Sequence, residues 1–414
     1  MPPVAIFVLL AVFILIAVRQ VGRFRLQIWH VMLGGAVAVL VTLQISPVKA
    51  LESINLDVMF FLFGMFVVGE ALEQSGYLEH LSYKLFKRAR TTDQLVLLMI
   101  FGLGTASALL MNDTLAIIGT PVVLAMSKRH EMSPKLMMLV LAFAITIGSV
   151  VSPIGNPQNL LIALGGGMDN SFVTFARYLL APTLLNLLLA YLVLRLFFRK
   201  EFHTRPLVHE DVPLRDPKLA MLAKASLVMI LALVALKISI VAAGIDFDLR
   251  LTYVALAASL PILAMSPKRA EILKGVDWTT LVFFASMFVL MAAVWNSGFF
   301  QSLIEDWGIE VAGIAMIIVI SVLLSQVISN VPLVALYIPM LVAAGAGDRG
   351  FMALAAGSTI AGNMLILGAA SNVIIIQNAE KKANETLTFW DFARVGIPLT
   401  AINIGVYAAF FWLV

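Results

Sequence analysis

Long apolar runs alternate with short polar connections along most of this chain. Runs of roughly 20 apolar residues match the hydrocarbon thickness of a bilayer, not the stripe of a soluble helix. The pattern predicts full spans near 3–19, 28–46, 58–75, 177–198, 219–242, 250–266, 278–296 and 395–413. Two more, 134–165 and 351–377, are apolar but interrupted by Gly, Pro and amide residues. Two further segments, 93–127 and 309–344, are broken in the middle. Each reads as two spans with a tight turn or as one re-entrant hairpin. The polar connection 200–218 divides the chain in half.

The halves repeat each other. GMFVVGEALEQSGYL (64–78) aligns without gaps with SMFVLMAAVWNSGFF (286–300). MNDTLAIIGTPVVLA (111–125) aligns with SNVPLVALYIPMLVA (329–343), sharing Asn112/Asn330 and Pro121/Pro339. LAFAITIGSVVSPIGNPQNLLI (141–162) aligns with LAAGSTIAGNMLILGAASNVII (354–375), sharing Thr146/Thr359, Gly155/Gly368 and Asn159/Asn372.

Charge then sets the topology. With both broken segments as hairpins and the N-terminus outside, the basic loops collect on the cytoplasmic side. Lys49, Arg177, Arg250 and Arg349 are left facing out, and Lys237 lies inside a span. Counting only one hairpin as two spans inverts everything after it and spoils this asymmetry. The first copy therefore starts outside and the second inside, an inverted repeat typical of secondary transporters. The expected organisation is a first repeat over 1–199, a cytoplasmic linker over 200–218 and a second repeat over 219–414. Both termini are expected outside an inner (plasma) membrane. The N-terminal run lacks a basic n-region and a small-residue cleavage site, so it reads as a retained span.

Composition narrows the chemistry. The chain is 61% hydrophobic and 13% charged, which fits a lipid environment. It has no cysteine, hence neither a disulfide framework nor a thiolate metal site. Its five histidines form no HExxH pair, and no nucleophile or nucleotide-binding motif is present. No catalytic residue, resident metal or cofactor is expected, and no nucleic-acid partner. The partners expected are the bilayer, a small solute, and H⁺ or Na⁺.

Irregular backbone at membrane depth is tolerated where it lines a cavity or is buried in protein. The breaks occur in matching pairs: Asn112–Thr114 with Asn330–Pro332, and Gly155–Asn159 with Gly368–Asn372. All four are expected to meet at one site. The candidate binding residues are Asn112, Thr114, Gly155, Asn156, Gln158, Asn159, Ser329, Asn330, Gly368, Ser371 and Asn372. Asn112 or Asp113 is expected to cap the returning hairpin helix. Asp113 is also the first candidate for ion coupling, because its repeat mate is Val331 and an intramembrane carboxylate is a functional hypothesis by default. Glu70, whose mate is Ala292, is the second. Two amphipathic stretches, 77–90 and 299–308, read as horizontal arms or interfacial anchors.

The motifs MNDTLAIIGTP, GSVVSPIGNPQNLLI and LSQVISNVPLVALYIP resemble the ion transporter superfamily across almost the whole chain. The resemblance is to the arsenite-permease and citrate-permease group, including YbiR-type bacterial permeases, and more distantly to divalent anion/sodium symporters. It implies two re-entrant hairpins, two unwound helices, a dimerising scaffold and elevator-type alternating access. The symporters carry Ser-Asn-Thr at both hairpin tips. This chain has Asn112-Asp113-Thr114 and Ser329-Asn330-Val331-Pro332, which counts against a dicarboxylate. The expected function is secondary transport of a small oxyanion or metalloid oxyacid, arsenite- or silicic-acid-like, coupled to H⁺ or Na⁺. Sodium-coupled uptake of sulfate or a di- or tricarboxylate, and Na⁺/H⁺ antiport, stand as alternatives.

Overall fold

The computed structural model of the chain describes residues 4–413 except 19, 22–23, 26, 169, 203–212, 244, 246–248, 300–301, 303–311 and 329. Among the described residues the fold is helical, apart from a short antiparallel pairing of Gln20–Val21 with Phe24–Arg25. The first half comprises α1 (Val4–Val18), α2 (Ile28–Val41), α3 (Pro47–Ser53), α4 (Leu56–Ser75), α5 (Tyr77–Phe86), α6 (Thr92–Leu109), α7 (Asn112–Arg129), α8 (Pro134–Ser149), α9 (Pro157–Gly165) and α10 (Ser171–Phe197). The second comprises α11 (Pro217–Ala242), α12 (Leu251–Met265), α13 (Arg269–Gly275), α14 (Trp278–Asn296), α15 (Ile314–Ile328), α16 (Asn330–Ala343), α17 (Asp348–Ile360), α18 (Ala370–Ala383) and α19 (Phe389–Leu413). The arm expected over 77–90 is α5. The second arm, 299–308, falls almost wholly outside the described residues, as does most of the linker.

Sequence pattern explains the layering. Helix α8 is apolar on every side, and such a helix belongs in an interior. All its residues from Leu136 to Ser149 are buried. Its counterpart α17 is buried from Gly350 to Ile360. Around these two, α10 and α11 turn leucine-rich faces outward, with Leu180, Leu184, Leu188, Leu231 and Leu236 exposed as lipid-facing residues would be. Small residues bring the inner helices together. Gly148 of α8 lies so near Gly104 of α6 that a Cβ there would overlap the Gly104 backbone.

Helix contacts come in matched pairs. Helix α2 packs on α14 and α4 on α12; α1 packs on α2 and α11 on α12. Helices α6 and α7 flank α8 as α15 and α16 flank α17. Further contacts between the halves run from α7 along α18 and from α9 along α16. The repeated Ser-Gly pair behaves alike in both copies. Gly76 and Gly298 both adopt left-handed backbone, with φ of 68° and 73°, which suits glycine because it has no Cβ to clash.

Five described helices are individually long and apolar enough to cross a membrane, and α3 with α4, bent by 53°, makes a sixth. The ten spans expected from apolar run length exceed this. Other expected runs fold into shorter helices: α1, α2 and α12 have 15, 14 and 15 residues, and α8 stops after 16 and α17 after 13, each at a break. One of the five, α6, lies in the segment read from sequence as two spans or a hairpin.

Candidate functional site

The first break runs from Val150 to Asn156. Pro157 does not sit inside it but opens α9 at N1, where its missing N–H costs little. Asn156 caps α9 by accepting the Asn159 N–H at 2.8 Å. Its own amide donates to Ser149 Oγ at 3.0 Å. Asn159 turns its side-chain N–H₂ back on the carbonyls of Ser149, Val150 and Ser152 at 3.0, 3.2 and 3.0 Å. Carbonyls freed where α8 ends are thereby satisfied by one side chain.

The second break is built from two 3-10 turns, Ala361–Asn363 and Ile366–Gly368. Ser371 and Asn372 fall in the first turn of α18, where Gln158 and Asn159 stand in α9. Asn372 donates its amide to the Gly362 carbonyl at 2.7 Å. Gly362, in the turn just after α17, is the repeat mate of Ser149 at the end of α8, so the two asparagines make the same bond. Gln326, at the end of α15, donates to the Ala361 carbonyl at 2.9 Å and ties the second hairpin to this break. Gly368 sits where a Cβ would press on the Ala361 carbonyl and Gln326 Oε1.

The breaks reach each other through two threonines that the sequence showed only as repeat matches. Thr359 of α17 stands 3.4 Å from the side chains of Asn156, Gln158 and Asn159. Its mate Thr146 of α8 packs beside Gly362. Both are fully buried.

The hairpin tip differs from expectation. Neither Asn112 nor Asp113 caps α7: the N-cap is Met111, with no side-chain cap bond. The Asn112 backbone N–H instead donates to the Gly155 carbonyl at 2.9 Å. A tertiary acceptor from the break thus satisfies one of the N–H groups that open α7 without a partner inside the helix. Thr114 packs on α4, where a Cβ at Gly69 would come within 2.8 Å of its methyl. Asn330 opens α16 and is buried. Ser329 lies outside the described residues.

Several buried side-chain atoms in this region carry no partner: Asn112 Oδ1, Thr146 Oγ1, Asn330 Oδ1, Ser371 Oγ and Asn372 Oδ1. For Asn372 the amide nitrogen is held by Gly362, so the oxygen is the atom left over. Asp113 is half-buried, and no ion pair reaches it among the described residues. The charge acting on it is that of Asp277, the N-cap of α14, which accepts from Thr280 N at 3.0 Å. Glu70 accepts from Gln74 at 2.7 Å and lies against Gly275. Asp277 was not singled out from sequence; its signal is that its repeat mate, Asn55, caps α4 in the same way.

Two broken helices buried in an apolar shell, with a hairpin docked on each, define a polytopic membrane transporter. The sequence profile of the CitMHS family, described as citrate transporter, matches residues 8–350, and the chain belongs to that family. It is 30% identical to an uncharacterized transporter of Mycobacterium bovis, covering 100% of this chain and 98% of that protein. It is 27% identical to a silicon efflux transporter of Oryza sativa subsp. japonica, covering 96% and 94%. Among solved structures, the YdaH transporter of Alcanivorax borkumensis superposes with a TM-score of 0.63 at 15% identity, covering 99% of this chain and 97% of that one. The family consists of transporters, not enzymes.

Proposed function

We propose that the chain is a secondary active transporter of a small metalloid oxyacid or oxyanion, coupled to H⁺ or Na⁺. The observation that carries this reading is the set of unpartnered acceptors around the breaks. Asn112, Asn330 and Asn372 each leave a buried amide oxygen without a donor. Buried acceptors are costly unless something donates to them. A protonated oxyacid brings several O–H groups; a fully ionised dianion brings none. Among the described residues the buried basic side chains are His130, at the end of α7, and Lys237, in α11. Neither stands among the residues of the breaks. The silicon efflux activity in the name of the rice relative points the same way.

The matched helix contacts support two repeats, 1–199 and 219–414, related by inversion, with hairpins over 93–127 and 309–344. In this reading the hairpins and broken helices move together against the remaining helices, elevator fashion, in a homodimer of the inner membrane. Asp113 of α7 carries the coupling proton or cation, with Glu70 of α4 as the second candidate.

A second reading, sodium-coupled uptake of a di- or tricarboxylate or sulfate, is favoured by the description of the family as citrate transporters. Purified protein in liposomes separates the two. Flux of arsenite or silicic acid driven by an imposed pH or Na⁺ gradient is expected. Citrate or sulfate flux with none of the oxyacids overturns the first reading. Gradient-driven Na⁺/H⁺ exchange with no solute requirement overturns both.

A further inference from the structure

A cavity of about 270 Å³ lies apart from the breaks, lined by the arm α5, helix α7 and the end of the linker. Its α7 wall is the stripe Val122, Ala125, Met126 and Arg129, at i, i+3, i+4 and i+7 on one helix face, with Pro121 beside it. From Pro121 to Arg129 the helix rises about 12 Å. The wall is therefore apolar toward the hairpin tip and ends in a guanidinium. Ala125 is exposed and Pro121 half-buried, so the cavity opens to the surroundings.

Arg215 supplies a second guanidinium. Its backbone fixes its position. Arg215 and Asp216 donate their N–H groups to the Ser75 carbonyl at 3.1 and 3.3 Å, where α4 ends. Asp216 in turn pairs with Lys268 Nζ at 2.8 Å. Gly76 leaves room for the arginine stem: a Cβ there would come within 3.1 Å of Arg215 Cγ. On the α5 side Tyr83 lines the cavity, and Lys87 Nζ stands 5.6 Å from the centre of its ring. Lys84, Lys87 and Arg88 are exposed on the same stretch.

The repeat shows that the fold does not require this charge. In register, the mates of Lys128 and Arg129 are Ala346 and Gly347. Continuing the gapless match of 64–78 with 286–300 sets Tyr83-Lys84 against Glu305-Asp306, and Arg88 against Glu310. The basic arm and its arginine-tipped helix thus belong to one side only, the side that the loop charges assign to the cytoplasm. The leaflet on that side carries anionic lipid, which attracts Lys and Arg.

We propose that this cavity binds the headgroup of an anionic phospholipid of the cytoplasmic leaflet. Arg129 and Arg215 hold the phosphodiester oxygens, whose geometry guanidinium groups match. Val122, Ala125 and Met126 take the first carbons of an acyl chain. A cavity near the lower end of the size range for ligand sites seats the headgroup, and the rest of the chains stay in the bilayer. A lipid so placed touches arm, linker and hairpin helix at once. The choice of leaflet rests on the topology read from charge. Binding does not, because it is measured in detergent and without flux, so it is also independent of the substrate reading above.

The purified full chain, stripped of native lipid in detergent, is titrated with dioleoylphosphatidylglycerol, and bound lipid is counted by native mass spectrometry. Dioleoylphosphatidylcholine is the neutral control and inorganic phosphate the water-soluble one. The first phosphatidylglycerol is expected to bind about tenfold more tightly than phosphatidylcholine. Arg129→Gln with Arg215→Gln is expected to weaken it about tenfold or more. Ala125→Trp, which fills the apolar wall and keeps both charges, is expected to weaken it about threefold or more. Lys200→Gln with Lys224→Gln removes the same charge outside the cavity and is expected to stay within about twofold. Equal binding of the two lipids to the wild-type chain overturns the proposal. So does an equal loss in the lysine and arginine pairs, which makes net charge the cause. An unchanged preference in Ala125→Trp overturns it whether or not the arginine pair folds, and displacement by inorganic phosphate then identifies a free-anion site.

Discussion

Asn372 donates its side-chain amide to the Gly362 carbonyl, and in the other half Asn159 does the same to Ser149. Each asparagine is thus a fastener for its broken helix as well as a source of an acceptor oxygen. The fastening is heavier in the first half, where one amide serves three carbonyls.

Alanine at Asn159 is therefore expected to lower stability, by about 1–3 kcal/mol, because freed carbonyls lose their donor. Asn372→Ala, with one such bond, is expected to cost less. Thermal unfolding in detergent orders the two. Equal melting temperatures for Asn159→Ala and wild type would show that the three bonds carry no weight.

Asp113→Asn is expected to retain solute binding and lose gradient-driven flux. The side chain stands at the hairpin tip, with the charge of Asp277 acting on it, and the other repeat manages with Val331. Binding by isothermal titration and flux in liposomes are compared on one preparation. Full pH-gradient-driven flux in Asp113→Asn would remove Asp113 from the coupling step and turn attention to Glu70.

Gly148→Val is expected to destabilise the chain by about 1–3 kcal/mol or more through overpacking. Its Cβ would enter the backbone of Gly104, where no side chain can move aside. Gly34, with open space at its Cβ position, is the control: Gly34→Ala should leave the melting temperature near wild type.

Topology is testable because the chain has no native cysteine. Lys200→Cys is expected to react only with reagent applied from the cytoplasmic side, and Lys49→Cys only from outside. Labelling of position 200 from outside overturns the orientation.

Much of this arrangement is legible in the sequence because helix breakers in apolar runs are conspicuous. Gly155 and Gly368 lie within the breaks, Pro157 marks where α9 begins again, and shared Asn and Thr positions mark the repeat. Two things were not legible. The capping of α7 depends on a carbonyl from residue 155, distant in sequence, which no local rule supplies. The pairing of Asn186 of α10 with Asn403 of α19 joins single amides set in otherwise unbroken apolar helices. Each alone reads as an isolated polar residue, and only their contact reveals them as mates.

The crossing of α7 along α18 and of α9 along α16 has a consequence for how the chain is made. Neither half has its own partner for these faces; each completes the other's, like the two hands of a clasp. A gene split within the linker should yield two fragments that accumulate poorly when expressed singly. Co-expressed, they should assemble into an active protein, because the clasp needs both hands in the membrane and does not need the peptide that joins them.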